Sequence, residues 1–168
     1  RVSIRLADGT EVTADVLVVG IGAQPRTELA AQAGLARAHR ISGNERPETS
    51  WADIYAAGDC WPLSHPLYGG RRLRLEAWRN AQDQGILAAA NLAGAARGYD
   101  AVPYFWSDQF DHTLQIAGLV DEGRTVVRRD LGDGAFILFH LDDGQRLVAA
   151  SGVGYGNRVA RDMKLSEM

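Results

Sequence analysis

The first half of the chain combines a short alternating segment with two longer apolar runs. Residues 1–14 alternate between apolar and polar on either side of Asp8-Gly9, which predicts a short antiparallel hairpin. The runs at 15–22 and 53–60 are rich in β-branched and small apolar residues, so each is predicted to be a strand buried on both faces. Strands of that kind are typical of sheets covered by helices, and this half therefore predicts an α/β fold.

Helical spacing occurs twice in the same half of the chain. Residues 27–33 predict one or two helical turns that end at Gly34. Residues 76–94 predict a longer helix that ends at Gly94. Its expected buried face consists mainly of small residues, which would let a neighbouring element approach closely: Ala81, Gly85, Ala88, Ala89 and Leu92.

The pattern changes to short alternating segments after Tyr99. Two Asp-Gly pairs, at 133–134 and 143–144, separate these segments and predict hairpin turns. We therefore expect an α/β segment over residues 1–98 and a small α+β module with an antiparallel sheet over residues 99–168. The expected strands lie within 102–110 and around 114–119, 124–128, 135–141 and 146–152.

Composition excludes several classes of protein. The 168 residues carry 18 Lys and Arg against 21 Asp and Glu, a net charge of −3 that does not favour nucleic acid or an anionic membrane as partner. The single cysteine, Cys60, excludes an internal disulfide and any multi-thiolate metal site, and it is expected to be a packing residue rather than a reactive thiol. The chain opens within an apparent strand and without Met, so it is expected to be a fragment.

Two glycine-containing motifs follow the predicted strands. The first, GIGAQP at residues 20–25, has Pro25 where a dinucleotide-binding fingerprint has its third glycine, so by itself it fits an ordinary turn equally well. Together, TADVLVVGIGAQP at 13–25 and TSWADIYAAGD at 49–59 resemble the paired signature of the pyridine nucleotide-disulfide oxidoreductase superfamily. The resemblance implies that the first motif lies where the chain returns from an NAD domain to an FAD domain. It also implies cofactor contacts at Gly22, Pro25, Gly58 and Asp59, with the last accepting hydrogen bonds from flavin ribityl hydroxyls.

Two further strings resemble one branch of that superfamily. RLEAWRNAQDQG at 74–85 and VPYFWSDQF at 102–110 are similar to the ferredoxin and rubredoxin reductases of oxygenase and cytochrome P450 systems. The resemblance implies a cytoplasmic, FAD-dependent NAD(P)H oxidoreductase that can form a homodimer. It would deliver electrons to a ferredoxin-like iron-sulfur protein or a rubredoxin. The chain alone lacks the phosphate-binding glycine loops for FAD and NAD(P)H, so the alternative is a non-catalytic binding or dimerisation module.

The resemblance also assigns roles to side chains near the predicted helix start. Ala77 and Trp78 would begin a helix directed at the flavin pyrimidine edge, where its N-terminal dipole favours negative charge. Glu76 would lie on the nicotinamide side, and Trp106 would close over the flavin. Each position has an ordinary alternative. The helix that begins at Trp78 could be a plain packing helix, Glu76 a surface carboxylate and Trp106 a core or interface aromatic.

A cluster of basic residues surrounds Glu76 in the sequence. It suits the docking of an acidic iron-sulfur carrier, although a solvated face explains it equally well. Arg72 and Glu76 are spaced to form an ion pair on a helix. His39, His65 and His140 are expected to be structural or exposed, and no metal site is predicted. The residues proposed for docking are Arg71, Arg72, Arg74 and Arg79.

Overall fold

The computed structural model describes residues 1–37, 40–41, 46–156 and 158–166, so His39 lies outside the described residues. The chain begins with an antiparallel hairpin of β1 (Val2–Arg5) and β2 (Glu11–Ala14). In the turn, Asp8 Oδ1 accepts a hydrogen bond from the Thr10 amide at 2.9 Å. The hairpin predicted from the alternating pattern is confirmed.

The strand predicted over 15–22 is wrong. These residues form no strand, and Val18 and Ile21 are 88% and 91% exposed. The prediction over 53–60 is also wrong, since only Tyr55 makes a bridge, to Glu48. A strand buried on both faces needs neighbouring strands and covering helices. The described residues supply neither for 15–22. For 53–60 they supply a covering helix, whose Leu87 packs with Ala56, but only a single bridge in place of a neighbouring strand.

Short elements connect this region to the main helix. The predicted helical turns form α1 (Glu28–Gln32), followed by Gly34 with a φ of +72°. Next come the two-residue strands β3 (Ala36–Arg37) and β4 (Arg40–Ile41). A hairpin that the sequence did not predict then follows, made of β5 (Leu63–His65) and β6 (Arg71–Leu73).

The long helix α2 (Trp78–Leu92) confirms the predicted helix, but its buried face differs from the expected one. Gly85, Ala89 and Leu92 are exposed. Amides can be buried when their donors and acceptors are hydrogen-bonded, and apolar periodicity does not detect them. The buried residues of the helix are Asn80, Gln84, Leu87, Ala88 and Asn91.

Two groups of side chains hold the region around α2. Trp61, Leu63, Leu87 and Tyr99 form a buried apolar cluster together with Ala56. In the last turn of the helix, the side-chain amide of Asn91 donates a hydrogen bond to the backbone carbonyl of Arg97 and accepts one from its backbone N–H, both at 2.8 Å. The linker after α2 is therefore attached to the helix by its own backbone.

His65 joins the β5–β6 hairpin to the segment that enters the C-terminal sheet. Its ring is completely buried, and Nε2 lies 2.9 Å from the Ala101 carbonyl oxygen. Burial lowers the pKa of His65, because the charged imidazolium would lose its hydration. His140 is half-buried and lies 3.0 Å from the Ser151 hydroxyl. Both histidines have the structural role that the sequence predicted.

The C-terminal part is an antiparallel sheet with one helix. Its strands are β7 (Tyr104–Gln109), β8 (His112–Gly118), β9 (Thr125–Gly132), β10 (Ala135–Leu141) and β11 (Leu147–Tyr155). Their order in the sheet is β7-β8-β11-β10-β9, and α3 (Ala160–Ser166) packs against β8 and β11. A second apolar cluster, which includes Ile137, Ala150 and Met163, fills the space between sheet and helix. The predicted antiparallel sheet is confirmed.

The two Asp-Gly turns take different forms. At the β9–β10 turn, Asp133 and Gly134 both have positive φ, as the hairpin signal predicts. At the β10–β11 turn, the positive φ falls on Gln145 instead of Gly144. None of the helices in the described ranges is long and apolar enough to cross a membrane.

Candidate functional site

Two tryptophans from distant parts of the chain meet at the start of α2. Trp78 is the first residue of that helix and Trp106 lies on β7, and their ring centroids are 5.8 Å apart in an edge-to-face arrangement. Tyr104 lies 6.1 Å from Trp106. Trp78 is 65% exposed and Trp106 38%. The structure thus brings together two predicted flavin contacts and leaves part of each ring free to cover a planar ligand.

A cavity of about 190 Å³ lies between the segment before α2 and the C-terminal sheet. Arg74, Glu76 and Ala77 line one side, and Tyr104 and Phe105 of β7 line the other. Arg74 forms an ion pair with Glu76 at 2.7 Å. Three of the predicted site residues therefore share a cleft that adjoins the tryptophans through Tyr104.

The Gly58–Asp59 turn is attached to α2 by its backbone. The Gly58 amide donates a hydrogen bond of 2.6 Å to Gln84 Oε1. Gly58 has a φ of +80°, and a Cβ there would lie 3.6 Å from the Ala81 Cβ. Asp59 is exposed and has no ion-pair partner among the described residues. Its carboxylate is therefore available to accept hydrogen bonds from a ligand hydroxyl.

A buried chain of amide groups connects this turn to the segment before α2. Gln84 Nε2 donates to Asn80 Oδ1 at 3.1 Å, and Asn80 Nδ2 donates to the Leu75 carbonyl at 2.9 Å. The Tyr99 hydroxyl also donates to Asn80 Oδ1, at 3.1 Å. Sequence reasoning missed these residues. The available signal was two amide residues four positions apart on a helix, which places them on the same face.

Gly22 and Pro25 are not brought to this site. They lie in the irregular segment before α1, where Gly22 has a φ of +93° and a Cβ on it would meet no atom within 4 Å. Pro25 lines a separate depression formed by residues 24–28 and Ala31. The contacts expected for these two residues remain predictions.

The basic cluster is largely neutralised in the folded chain. Arg71 forms ion pairs with Asp121, at 2.6 Å, and with Glu122. The Arg71 guanidinium holds the pKa of the Asp121 carboxyl below its usual range. Since both carboxylates lie some fifty residues away in sequence, a local charge count could not include them.

The remaining basic residues also differ from the expectation. Arg79 pairs with Asp83 at 2.9 Å, one helical turn away. The predicted Arg72–Glu76 pair is wrong, because Arg72 lies on β6, opposite Ser64, and Glu76 pairs with Arg74 instead. Arg72 is left without an ion-pair partner in the described part of the chain.

Cys60 directly follows the exposed carboxylate. Its side chain is half-buried, and Sγ lies 3.4 Å from the Ala57 carbonyl oxygen. Burial raises the pKa of the thiol, so the neutral form is favoured. These features support a packing role.

The residues around α2 fit a planar, anionic cofactor. The first turn of α2 has free backbone amides, because no side chain caps it, and these favour negative charge. The two partly exposed tryptophan rings offer apolar surface, and Asp59 offers an unpaired acceptor.

Two family models match different parts of the chain. Residues 1–85 match the pyridine nucleotide-disulphide oxidoreductase family, and residues 104–167 match the reductase C-terminal family.

Similar curated proteins are reductase components of electron-transfer systems. The ferredoxin–NAD(+) reductase component of the anthranilate 1,2-dioxygenase system of Burkholderia cepacia is 42% identical over 94% of this chain and 39% of its own length. Putidaredoxin reductase CamA of Pseudomonas putida is 40% identical over 87% of this chain and 34% of its own. The chain therefore spans less than two fifths of the length of these relatives.

Solved structures give the same result. A ferredoxin reductase for the CYP199A2 system of Rhodopseudomonas palustris superposes with a TM-score of 0.81 at 38% identity, covering 95% of this chain and 39% of that one. The reductase complex with putidaredoxin gives 0.79 at 34% identity, covering 96% and 38%. These matches confirm the predicted fold class, an α/β cofactor-binding segment followed by a small α+β module. The chain belongs to the pyridine nucleotide-disulphide oxidoreductase family.

Proposed function

We propose that this chain is the C-terminal part of an FAD-dependent NAD(P)H:ferredoxin reductase. Residues 1–98 would complete the NAD and FAD domains, and residues 99–168 would form the C-terminal reductase module. The observation that carries the proposal is the approach of Trp106 to Trp78 at the start of α2. The reductase names of the similar proteins support the same activity.

Each site residue has a distinct task in this proposal. Bound FAD would supply the chemistry that converts two-electron transfer from NAD(P)H into single-electron delivery. Asp59 accepts hydrogen bonds from the ribityl hydroxyls, and the amides at the start of α2 stabilise negative charge at the pyrimidine edge. Trp106 excludes water from the ring system, and Glu76 faces the nicotinamide side.

Electron acceptors provide the test of this function. The full-length protein, which we expect to be cytoplasmic, should bind FAD and should reduce a ferredoxin-like iron-sulfur protein with NAD(P)H. The measurement is the NAD(P)H-dependent absorbance change of the ferredoxin, with rubredoxin and a neutral dye as parallel acceptors. A protein that binds no flavin, or that reduces only the dye, would contradict the proposal. Reduction of rubredoxin alone would assign it a different acceptor.

Arg72 provides a test of acceptor docking, because the other three arginines of the cluster are paired with carboxylates. Arg72→Glu in the full-length protein should slow ferredoxin reduction several-fold at low ionic strength. The difference should shrink as salt screens charges beyond about 10 Å at 0.1 M. Stopped-flow measurement over a salt series checks this.

A matched charge reversal in the C-terminal sheet, to which Arg72 does not belong, separates docking from net charge. Arg129 lies on β9, the edge strand farthest from β7. Arg129→Glu should leave ferredoxin reduction nearly unchanged, and neither variant should slow reduction of a neutral dye. Equal slowing in both variants would show that only the overall charge matters, and no slowing would leave Arg72 on a solvated face.

A further inference from the structure

Two amide side chains of α2 are almost completely removed from solvent. Asn80 is 3% exposed and Gln84 is 0% exposed. A buried amide weakens the fold unless its donors and acceptors are paired, and an apolar side chain of similar size would avoid that requirement. These residues therefore call for an explanation beyond filling space.

The amides form a chain of hydrogen bonds with a single direction. One end is the Gly58 N–H, which can only donate, and the other is the Leu75 carbonyl, which can only accept. The ends therefore fix the orientation of both amides between them: Gln84 accepts from Gly58 and donates to Asn80, which donates to Leu75. Neither amide can flip without losing bonds at both ends.

Both ends of this chain adjoin predicted cofactor contacts. Gly58 precedes Asp59, and Leu75 precedes Glu76. These two segments are separated by sixteen residues in sequence and are both held to the first two turns of α2, which begins at Trp78. The chain thereby fixes the distance between the exposed carboxylate and the start of α2.

Tyr99 adds a third arm from the segment that leads to the C-terminal sheet. Its hydroxyl is buried and donates to Asn80 Oδ1, which also accepts from Gln84. Trp106 follows on the first strand of that sheet. Asn80 therefore bonds directly to the segments that lead to Glu76 and to Trp106, and it is connected to the turn that carries Asp59 through Gln84.

We propose that Gln84 and Asn80 are positioning residues for the flavin site. Through their hydrogen bonds to Gly58, Leu75 and Tyr99, they hold Asp59 at a fixed distance from the start of α2. This inference rests on the proposed function, because it assumes that Asp59 contacts FAD. Neither residue touches the cofactor in this proposal. Their effect on binding arises from the placement of the groups that do.

A double-mutant cycle on FAD binding by the full-length apoprotein tests the proposal. Gln84→Met keeps the side-chain volume and removes both hydrogen-bonding arms, so the dissociation constant for FAD should rise about tenfold. If Gln84 acts by placing Asp59, Gln84→Met should weaken binding little further once Asp59→Ala is present. Quenching of flavin fluorescence measures all four dissociation constants. Independent, multiplicative losses would overturn the proposal.

A second variant protects the test against a protein that fails to fold. Gln84→Glu in its neutral form can accept from Gly58 and donate to Asn80, whereas the ionised form cannot donate. FAD affinity should therefore approach that of the wild type at low pH and fall as the buried carboxyl ionises. Gln82 is exposed on the same helix, so Gln82→Glu should follow the wild-type pH profile. Superimposable profiles for the two glutamate variants would contradict a positioning role.

The outcomes also distinguish this proposal from the proposed function. If the wild-type apoprotein binds no FAD, the proposed function fails. If it binds FAD and Asp59→Ala weakens binding while Gln84→Met does not, the function stands and the positioning role is wrong.

Discussion

Gly118→Ala is expected to destabilise the C-terminal sheet by at least about 3 kcal/mol. Gly118 ends β8 with a φ of +82°, a conformation that a side chain disfavours. A Cβ at this position would overlap the Val148 carbonyl oxygen and lie 2.8 Å from the Ala149 Cα. Both neighbours are backbone atoms of β11, so the substitution can be accommodated only by separating β8 from β11.

Gly134→Ala is the matched control. Gly134 has a φ of +76°, but a Cβ there would meet no atom within 4 Å. Its loss of stability should be about 1 to 2 kcal/mol, from the backbone conformation alone. Chemical denaturation of both variants measures the difference, which reports the close approach of β8 and β11. Similar losses in the two variants would show that the strands move apart at little cost.

Asp59→Ala should weaken FAD binding by the full-length protein by about ten- to 150-fold, equivalent to about 1.5 to 3 kcal/mol for a charged hydrogen-bonding partner. The effect should fall on the ligand and not on the fold. The Asp59 side chain is exposed, and the turn is held through the backbone amide of Gly58. The free energy of unfolding of the apoprotein should therefore change by less than about 0.5 kcal/mol.

Asp143→Ala removes an equivalent exposed carboxylate from the distant β10–β11 turn and should leave FAD affinity unchanged. Flavin fluorescence and thermal unfolding of the apoprotein are measured for both variants. If Asp59→Ala unfolds the apoprotein, the carboxylate has a structural role and the assignment to the ribityl hydroxyls is wrong.

Features governed by nearby residues could be predicted from the sequence. The first hairpin and α2 follow from alternation, turn residues and helical spacing, and both occur where expected. The runs at 15–22 and 53–60 have the composition of buried strands, but a strand forms only where partners complete its hydrogen bonds. The composition of such a segment therefore indicates that it needs a buried environment. Whether partner strands provide that environment depends on residues in other parts of the sequence.

The candidate site shows the same limit. The family resemblance identified Trp78 and Trp106 separately as flavin contacts. The contact between their rings depends on how β7 packs against α2. Within the basic cluster, the charge of Arg71 is neutralised by Asp121 and Glu122, which approach it from across the fold. The burial of amides such as Gln84 was not predicted, because an analysis of apolar periodicity considers only apolar residues. In each case the missing information is a contact between residues distant in sequence.

The attachment of the linker to Asn91 has a practical consequence. Residues 92–98 are exposed, yet the two hydrogen bonds between Asn91 and Arg97 close this stretch at its base. Exposed loops whose ends are held together accept added sequence with little loss of stability. A peptide tag or a fluorescent label inserted beside Ala95 would therefore project from the surface and leave both flanking cores intact, which makes this loop a suitable attachment point for tracking the protein.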